Sequence, residues 1–93
     1  MSDRVAFYKK LKESLENTTV FPADYLYKFI VPAKTSGVQE IEALFEKKRA
    51  AISTKASKTG KYMSVSVKVK LASANEVISY YEQAASIEGI ISL

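Results

Sequence analysis

The sequence contains no cysteine, no histidine and no tryptophan among its 93 residues. Disulfides and thiolate chemistry are therefore excluded, and the usual catalytic triads and zinc sites cannot be built. No pair of acidic residues is placed by the sequence to share one site. Ser64 and Lys68 could form a serine–lysine pair, but even positions of one strand also simply share its outer face. We therefore predict that the protein is not an enzyme and holds neither a metal nor a cofactor.

Long apolar runs are missing as well, since none approaches the roughly 20 residues that a membrane-spanning helix needs. The first residues, Met1–Val5, lack the apolar segment of a signal peptide. No low-complexity tract or linker divides the chain. We therefore expect a cytoplasmic protein without a membrane partner. We also expect one domain over residues 1–93, with an N-terminal helix and connector (1–19) and a core (20–93).

Acidic residues are absent from the middle of the chain. The stretch from Lys47 to Asn75 has eight basic residues and no acid, so it carries +8 and the remainder of the chain −4. Such segregation can mark a surface that binds anions. Lysines on exposed strands also deter pairing between sheet edges, which gives the same pattern a purely structural interpretation.

A strongly alternating segment, Tyr62–Leu71, dominates what the sequence does contain. Its odd positions from Met63 onward are all apolar, and its even positions are polar or amphipathic. Because side chains alternate across a strand, the pattern predicts a strand with one face for the core and one for water. Asp24–Val31, rich in aromatic and β-branched residues, predicts a second such strand. Shorter strands are predicted over Ala50–Ala56 and Ile90–Leu93.

Three helices are predicted between and before these strands. Asp3 can cap the first, which should end near Asn17 and has an apolar side formed by Val5, Tyr8, Leu11 and Leu15. Capping boxes predict where the other two begin, at Ser36–Gln39 and at Ser73–Glu76. Their apolar spacing predicts core positions for Ile41 and Leu44 in the second helix and for Val77 and Tyr81 in the third. Lys47, Lys48 and Arg49 are expected to close the second helix, where cations suit its dipole.

The order of these elements, a helix followed by strand–helix–strand–strand–helix–strand, predicts an α+β fold. It is the βαββαβ pattern of the ferredoxin-like two-layer sandwich, preceded here by an additional N-terminal helix. Right-handed crossovers then give a four-stranded antiparallel sheet in the order 4-1-3-2. The two most apolar strands become the central ones, so composition and topology agree.

The chain also resembles a known family. Three segments carry the similarity: Phe21-Pro22, Tyr25-Leu26-Tyr27-Lys28, and Lys55–Val65 with its Ser-x-x-Gly-x-Tyr-x-Ser-Val spacing. In these segments the chain is similar to the YbeD-like family of small bacterial proteins of unknown function. The resemblance covers roughly residues 21–93. It implies a ferredoxin-like fold similar to the ACT regulatory domains of amino-acid metabolism, and hence a regulatory or ligand-sensing role. Pro32 stands where other members tend to have glycine, at the point where an ACT-type ligand loop needs a close backbone approach.

Two classes of function remain open. We favour a regulatory or protein-interaction module with a protein partner or a second copy of itself. The face of the sheet that points away from the core has apolar side chains, Leu26, Ile30 and Tyr62, which a partner could cover. The alternative is a domain that binds RNA or another anion without reading its sequence, through the basic 47–75 stretch. An RNA-recognition domain stacks bases on two exposed aromatic residues of the strand that corresponds to Tyr62–Leu71. Here Tyr62 stands at the first of these positions and Ser64, which has no ring, at the second. For either class we predict one candidate surface, formed by Lys28, Ser57, Lys58, Gly60, Lys61, Tyr62, Ser64 and Lys68.

Overall fold

The computed structural model describes residues 2–92, with side chains from residue 6 onward. Eight elements follow one another along the chain: α1 (Ser2–Thr18), β1 (Ala23–Pro32), α2 (Gly37–Leu44), a short 3-10 turn (Glu46–Lys48), β2 (Ala51–Ala56), β3 (Tyr62–Leu71), α3 (Ala74–Ala84) and β4 (Ile91–Ser92). The predicted helices and strands are therefore all present. The long strands differ from prediction by at most one residue at each end, whereas α2 ends several residues before the basic cluster that was expected to close it.

The four strands form one antiparallel sheet in the order β2-β3-β1-β4, which confirms the predicted order and fold. The two central strands pair over their full length, from Ala23 opposite Leu71 to Pro32 opposite Tyr62. Strand β4 is much shorter and pairs with Phe29 and Ile30 alone among the described residues. Long apolar strands thus occupy the middle of the sheet. Strand β3 is hydrogen-bonded on both edges, and β1 is hydrogen-bonded to β3 throughout and to β4 at one end.

The core lies between one face of this sheet and the helices. The alternate residues Val65, Val67 and Val69 of β3 are at most 2% exposed, so the predicted register is confirmed. They pack with further buried side chains from the other elements: Tyr27, Phe29, Val31, Ile41, Phe45, Leu71, Val77 and Tyr81. Leu44 is only partly buried at the margin of this cluster. Burial of each such side chain contributes roughly 1.5–3 kcal/mol of transfer free energy.

Two tyrosines place hydroxyl groups inside this core, and both hydroxyls are hydrogen-bonded. Tyr27 donates to the carbonyl oxygen of Val77 at 2.8 Å, and the Tyr25 and Tyr81 hydroxyls lie 2.8 Å apart. A buried hydroxyl without a partner would cost free energy, so these bonds fix how α3 sits on β1. Burial raises the pKa of Tyr27 and of Tyr81 well above the ordinary value, because the charged form is poorly solvated there.

The two predicted capping boxes have different outcomes. At α3, Ser73 accepts from the Glu76 amide at 3.2 Å as predicted, whereas the Glu76 carboxylate accepts from the Ala72 amide at 2.8 Å. At α2 the prediction is wrong, because Ser36 makes no side-chain cap and instead donates to Glu40 at 2.8 Å. The physical reason is its backbone conformation, φ −83° and ψ 14°, which is not the extended one that aims a capping side chain at the helix.

The basic residues 47–49 lie after α2 rather than in its last turn. The helix ends at Leu44, and Lys47 and Lys48 belong to the 3-10 turn that follows it. Lys48 forms a salt bridge of 2.6 Å with Glu76 at the start of α3. The expected role in closing α2 is therefore replaced, for Lys48, by a contact between two elements of the helical layer.

Helix α1 packs in the helical layer. The Tyr8 ring is stacked on that of Tyr81 with centroids 6.4 Å apart, Leu15 is buried, and Leu11 packs against the core. These three positions confirm the predicted apolar side, while the predicted Asp3 cap and the Val5 side chain lie outside the described side chains. Since α1 packs against α3, it does not cover the second face of the sheet.

Candidate functional site

The face of the sheet that points away from the helices is referred to here as the open face. Strand alternation and the pairing register place the same-side residues of all four strands on it. Its members are Asp24, Leu26, Lys28, Ile30, Pro32, Ala51, Ser53, Lys55, Tyr62, Ser64, Ser66, Lys68, Lys70 and Ile91. Within residues 2–92 no helix or loop lies over this face, so its side chains meet solvent.

The register brings open-face residues into rows that run across the strands. One row contains Ile91, Ile30, Ser64 and Lys55, and the next contains Lys28, Ser66 and Ser53. A third row contains Leu26, Lys68 and Ala51. Residues that are directly opposite each other on neighbouring strands have Cβ atoms about 4.5–5.5 Å apart, so each row is a contiguous strip of surface.

A concavity of about 300 Å³, referred to here as the hairpin cavity, lies where β2 turns into β3. Its lining is mostly apolar but includes two lysines and three hydroxyl-bearing side chains: Ile30, Lys55, Ala56, Ser57, Lys58, Tyr62 and Ser64. Four residues of the predicted surface, Ser57, Lys58, Tyr62 and Ser64, thus meet in one place. Such a cavity can take an apolar group and place an anionic one beside the ammonium groups.

The turn beside this cavity uses Ser57 and Gly60 for its own structure. Ser57 donates its amide to the Tyr62 carbonyl at 2.9 Å, and its hydroxyl oxygen accepts from the Tyr62 amide at 3.2 Å. The Gly60 amide donates to the Ser57 carbonyl at 3.0 Å, and Gly60 has a φ of 73°, a left-handed conformation that glycine adopts without strain. The chemistry available to a ligand therefore comes from Tyr62, Ser64 and the lysines.

Tyr62 is 47% exposed on the open face. Two placements of Tyr62 are compatible with the sequence, one more than half exposed among lysines and one packed under Leu11 or Leu15. At 47% the ring falls just short of the first placement. The second is not observed, because α1 lies on the other side of the sheet. The ring borders the hairpin cavity together with Lys55 and Lys58, so it can pack against a bound molecule.

The remaining predicted residues are distributed over the open face and the turn. Lys68 lines a second concavity of about 210 Å³, referred to here as the sheet cavity, with Leu26, Ala51, Ile52, Ser53 and Ser66. Lys28 lies opposite Ser66, between the two cavities. Lys61 is exposed in the turn, and its carbonyl accepts from the Ala33 amide at 2.9 Å. Neither Lys61 nor Gly60 lines either cavity.

Sequence reasoning missed two contributors to this surface. Lys55 lies opposite Ser64 in the register, and counting backward from the hairpin turn would have placed it there. Ile91, 51% exposed, lies opposite Ile30 and extends the apolar strip. No sequence signal fixes the register of a two-residue strand, since its pairing depends on where α3 and the following loop deliver the chain.

The electrostatics of the open face are one-sided. Its three lysines, Lys28, Lys55 and Lys68, are joined by Lys70 at one end, and Asp24 is the acid on the same side of β1. None of these lysines forms a salt bridge with another described side chain. The salt bridge that the described residues do contain, Lys48–Glu76, lies in the helical layer and lowers the pKa of the Glu76 carboxyl. The open face is thus both basic and partly apolar.

Comparisons with known proteins agree with this fold. A family model described as "Protein of unknown function (DUF493)" matches residues 16–93, which confirms the resemblance drawn from the sequence. The solution structure of the protein HP0495 from H. pylori is similar with a TM-score of 0.66 and 20% identity, over 82% of this chain and 86% of that one. The ACT domain from the GTP pyrophosphokinase of Chlorobium tepidum has a TM-score of 0.54 and 10% identity, over 76% and 100%. No curated protein matches the sequence.

Two further observations bear on the classes of function. No described helix is long and apolar enough to cross a membrane. In the described part of the chain, no three acidic side chains are grouped so that they could hold a metal ion.

Proposed function

Because the chain belongs to the DUF493 family of proteins of unknown function, we propose its role from the open face: a small, non-catalytic regulatory module that binds a protein partner there. In this proposal residues 1–93 act as one domain in the cytoplasm, and no cofactor takes part. The partner contacts the predicted surface and the adjoining apolar strip.

The observation that carries the proposal is the exposed apolar area of the open face. Leu26, Tyr62 and Ile91 are 52%, 47% and 51% exposed, on a sheet whose other face is buried. Ile91, Ile30 and Tyr62 adjoin one another at one end of the face, and Leu26 lies beyond the row of Lys28. A group of neighbouring apolar side chains left in water is typical of a binding surface. Aromatic and aliphatic anchors surrounded by polar side chains are also the usual anatomy of a protein interface.

The likeness to an ACT domain supports the regulatory part of the proposal. That solved domain comes from a GTP pyrophosphokinase, so in that protein the same shape is one part of a larger enzyme. Fold alone does not carry function, and the argument therefore depends on the open face itself. In this chain Pro32 packs against Gly89, where an added Cβ would lie 2.8 Å from the proline ring. The end of β1 is thus filled, which favours the sheet face over an ACT-type ligand loop.

Binding of RNA or another polyanion is the second candidate, and the lysines of the open face favour it. The lysines would bind the phosphate groups of a nucleic acid, and this binding would weaken steeply as the salt concentration rises. Among the described residues, only Tyr62 offers a ring for base stacking on this face, since Tyr25, Tyr27 and Phe29 point toward the core. The aliphatic residues of the face are better suited to the side chains of a protein.

A capture experiment with matched variants separates these candidates. The double variant Tyr62→Ala with Lys68→Glu alters the open face, whereas Phe7→Ala with Lys47→Glu removes an exposed aromatic residue and reverses one lysine elsewhere. Each immobilised protein is incubated with cell extract, and heparin and single-stranded RNA binding are measured in parallel. We expect a discrete protein to be retained by the wild type and the second variant and lost by the first.

Two outcomes would contradict the proposal. Equal retention of every captured protein by both variants would remove the open face from consideration. Salt-sensitive RNA binding that is lost in the first variant, without any discrete protein partner, would instead establish the polyanion candidate.

A further inference from the structure

We infer that the partner presents an acidic amphipathic helix, which lies along the open face with two apolar side chains in the hairpin cavity and the sheet cavity. This inference rests on the proposed function and specifies the chemistry of the partner. Three features of the open face carry it: the spacing of its cavities, its main chain and its charge.

The two cavities are spaced for residues two turns apart on a helix. Ile30 lines the hairpin cavity and Leu26 lines the sheet cavity, four residues away on the same strand. At about 3.3 Å per residue they are roughly 13 Å apart. Helix positions separated by seven or eight residues are about 10–12 Å apart and lie on the same side of the helix. One apolar stripe can therefore reach both cavities.

The main chain of the open face favours a helix over an extended segment. The central strands β1 and β3 are paired with each other along their whole length, and β3 is paired with β2 on its other side. The face itself consequently offers side chains, whereas unpaired amides of the described residues lie at the outer edges of β2 and of β1 before Phe29. An extended segment laid flat on it would leave its own backbone groups without partners, whereas a helix satisfies its backbone internally.

The charge of the open face specifies the flanks of that helix. Lys28 lies between the cavities, Lys55 and Lys58 border the hairpin cavity, and Lys68 borders the sheet cavity. Aspartate or glutamate residues on both sides of the apolar stripe would meet these ammonium groups. A second copy placed face to face would instead bring the same lysines together, and like charges across an interface are unfavourable.

Synthetic helical peptides test the inference directly. Three peptides of ~18 residues, about five helical turns, are compared. The first has a leucine stripe flanked by glutamates, the second has lysines in place of the glutamates, and the third keeps the glutamates but scrambles the stripe. Binding is measured by fluorescence anisotropy and mapped by amide chemical shifts. We expect the first peptide to bind at least about tenfold more tightly than the others and to shift amides of β1 and β3.

A pair of charge variants checks the contact. Lys28→Glu with Lys68→Glu should weaken the glutamate peptide by about tenfold or more, because it reverses two charges between the cavities and beside the sheet cavity. Lys10→Glu with Lys47→Glu has the same net charge and changes exposed lysines away from the open face, so it should bind as the wild type does.

Three results would overturn the inference. They are equal binding of the glutamate and scrambled peptides, shifts confined to the helical layer, and tighter binding of single-stranded RNA than of the glutamate peptide. If the peptide fails while a protein captured from extract still requires Tyr62 and Lys68, this inference falls and the proposed function stands. If the open-face variant also captures the same proteins as the wild type, the proposed function falls with it.

Discussion

The two faces of the sheet are built from the same strands and differ in exposure and in polarity. On β3, Val65, Val67 and Val69 are 1%, 0% and 2% exposed, whereas the neighbouring Ser64 and Lys68 point to solvent. On β1, Tyr27 and Phe29 are fully buried, whereas Leu26 on the open face is 52% exposed. The helical side therefore uses apolar residues for stability, and the open side retains apolar residues that stability does not require.

The comparison shows how a small domain can separate folding from binding. Because successive side chains of a strand point to opposite faces, one residue can be changed without altering the packing of the next. Helices α2 and α3 cover one face, and α1 adds to that same layer. All of the described helices thus pack on one face of the sheet, and the other face is free to bind a partner.

The largest expected difference between the faces comes from adjacent residues of β1. Phe29→Ala should lower the free energy of unfolding by about 3–5 kcal/mol, since it removes a fully buried ring and leaves a cavity. Lys28→Ala, one residue earlier on the open face, should change it by no more than about 0.5 kcal/mol. Urea denaturation of both variants measures the difference. Similar losses in the two variants would contradict the assignment of the faces.

Alkaline pH should destabilise the helical face through its tyrosines. In the unfolded chain Tyr27 and Tyr81 ionise near the ordinary value of 10.0, whereas burial in the folded protein raises both pKa values. The folded state therefore keeps protons that the unfolded state loses, so stability is complete below pH 10 and falls above it. Each tyrosine contributes a slope of roughly 1.4 kcal/mol per pH unit.

Thermal or urea unfolding as a function of pH measures this slope, with Tyr27→Phe as the matched variant. The variant should show a shallower loss of stability above pH 10, because one of the two buried groups can no longer ionise. An unchanged slope would mean that the Tyr27 hydroxyl does not remain protonated in the core.

The turn that borders the open face should be sensitive to backbone conformation rather than to packing. Gly60→Val should destabilise the protein by roughly 1 kcal/mol or more, because φ is 73° there and a β-branched residue resists that region. Beyond the two adjacent residues, a Cβ at this position would meet no atom within 4 Å, so the expected cost comes from the local backbone conformation. Gly60→Asn, which tolerates this conformation better, should cost less in the same unfolding assay.

The smallest expected change in stability is that of the open-face double variant. Tyr62→Ala with Lys68→Glu should alter the free energy of unfolding by about 0.5 kcal/mol or less, since both side chains are exposed and neither belongs to the core. Circular dichroism during urea unfolding checks this. A loss of several kcal/mol would show that Tyr62 supports the fold and would make its effect on binding uninterpretable.

The sequence by itself determined the elements, the sheet order and which face of each central strand is buried. Alternation of Val65, Val67 and Val69 with polar residues can be satisfied by one orientation only, because a shift by one residue would bury Lys68 and expose the valines. The glycine of the β2–β3 turn was likewise predictable, since a tight turn of this kind favours a residue that tolerates positive φ. Local rules decide these features, and the sequence contains them.

Tertiary structure alone decided what covers each face and which site residues meet. The apolar side of α1 fits either face of the sheet equally well in sequence, and it lies on α3 because Tyr8 and Leu15 find the Tyr81 side of the core there. Lys55 and Ile91 join the open face through strand pairing, and Ser36 fails as a cap because the chain reaches α2 in a conformation that the sequence pattern does not specify. These features depend on how separate elements pack against one another. The spacing of residues along a single element does not specify that packing.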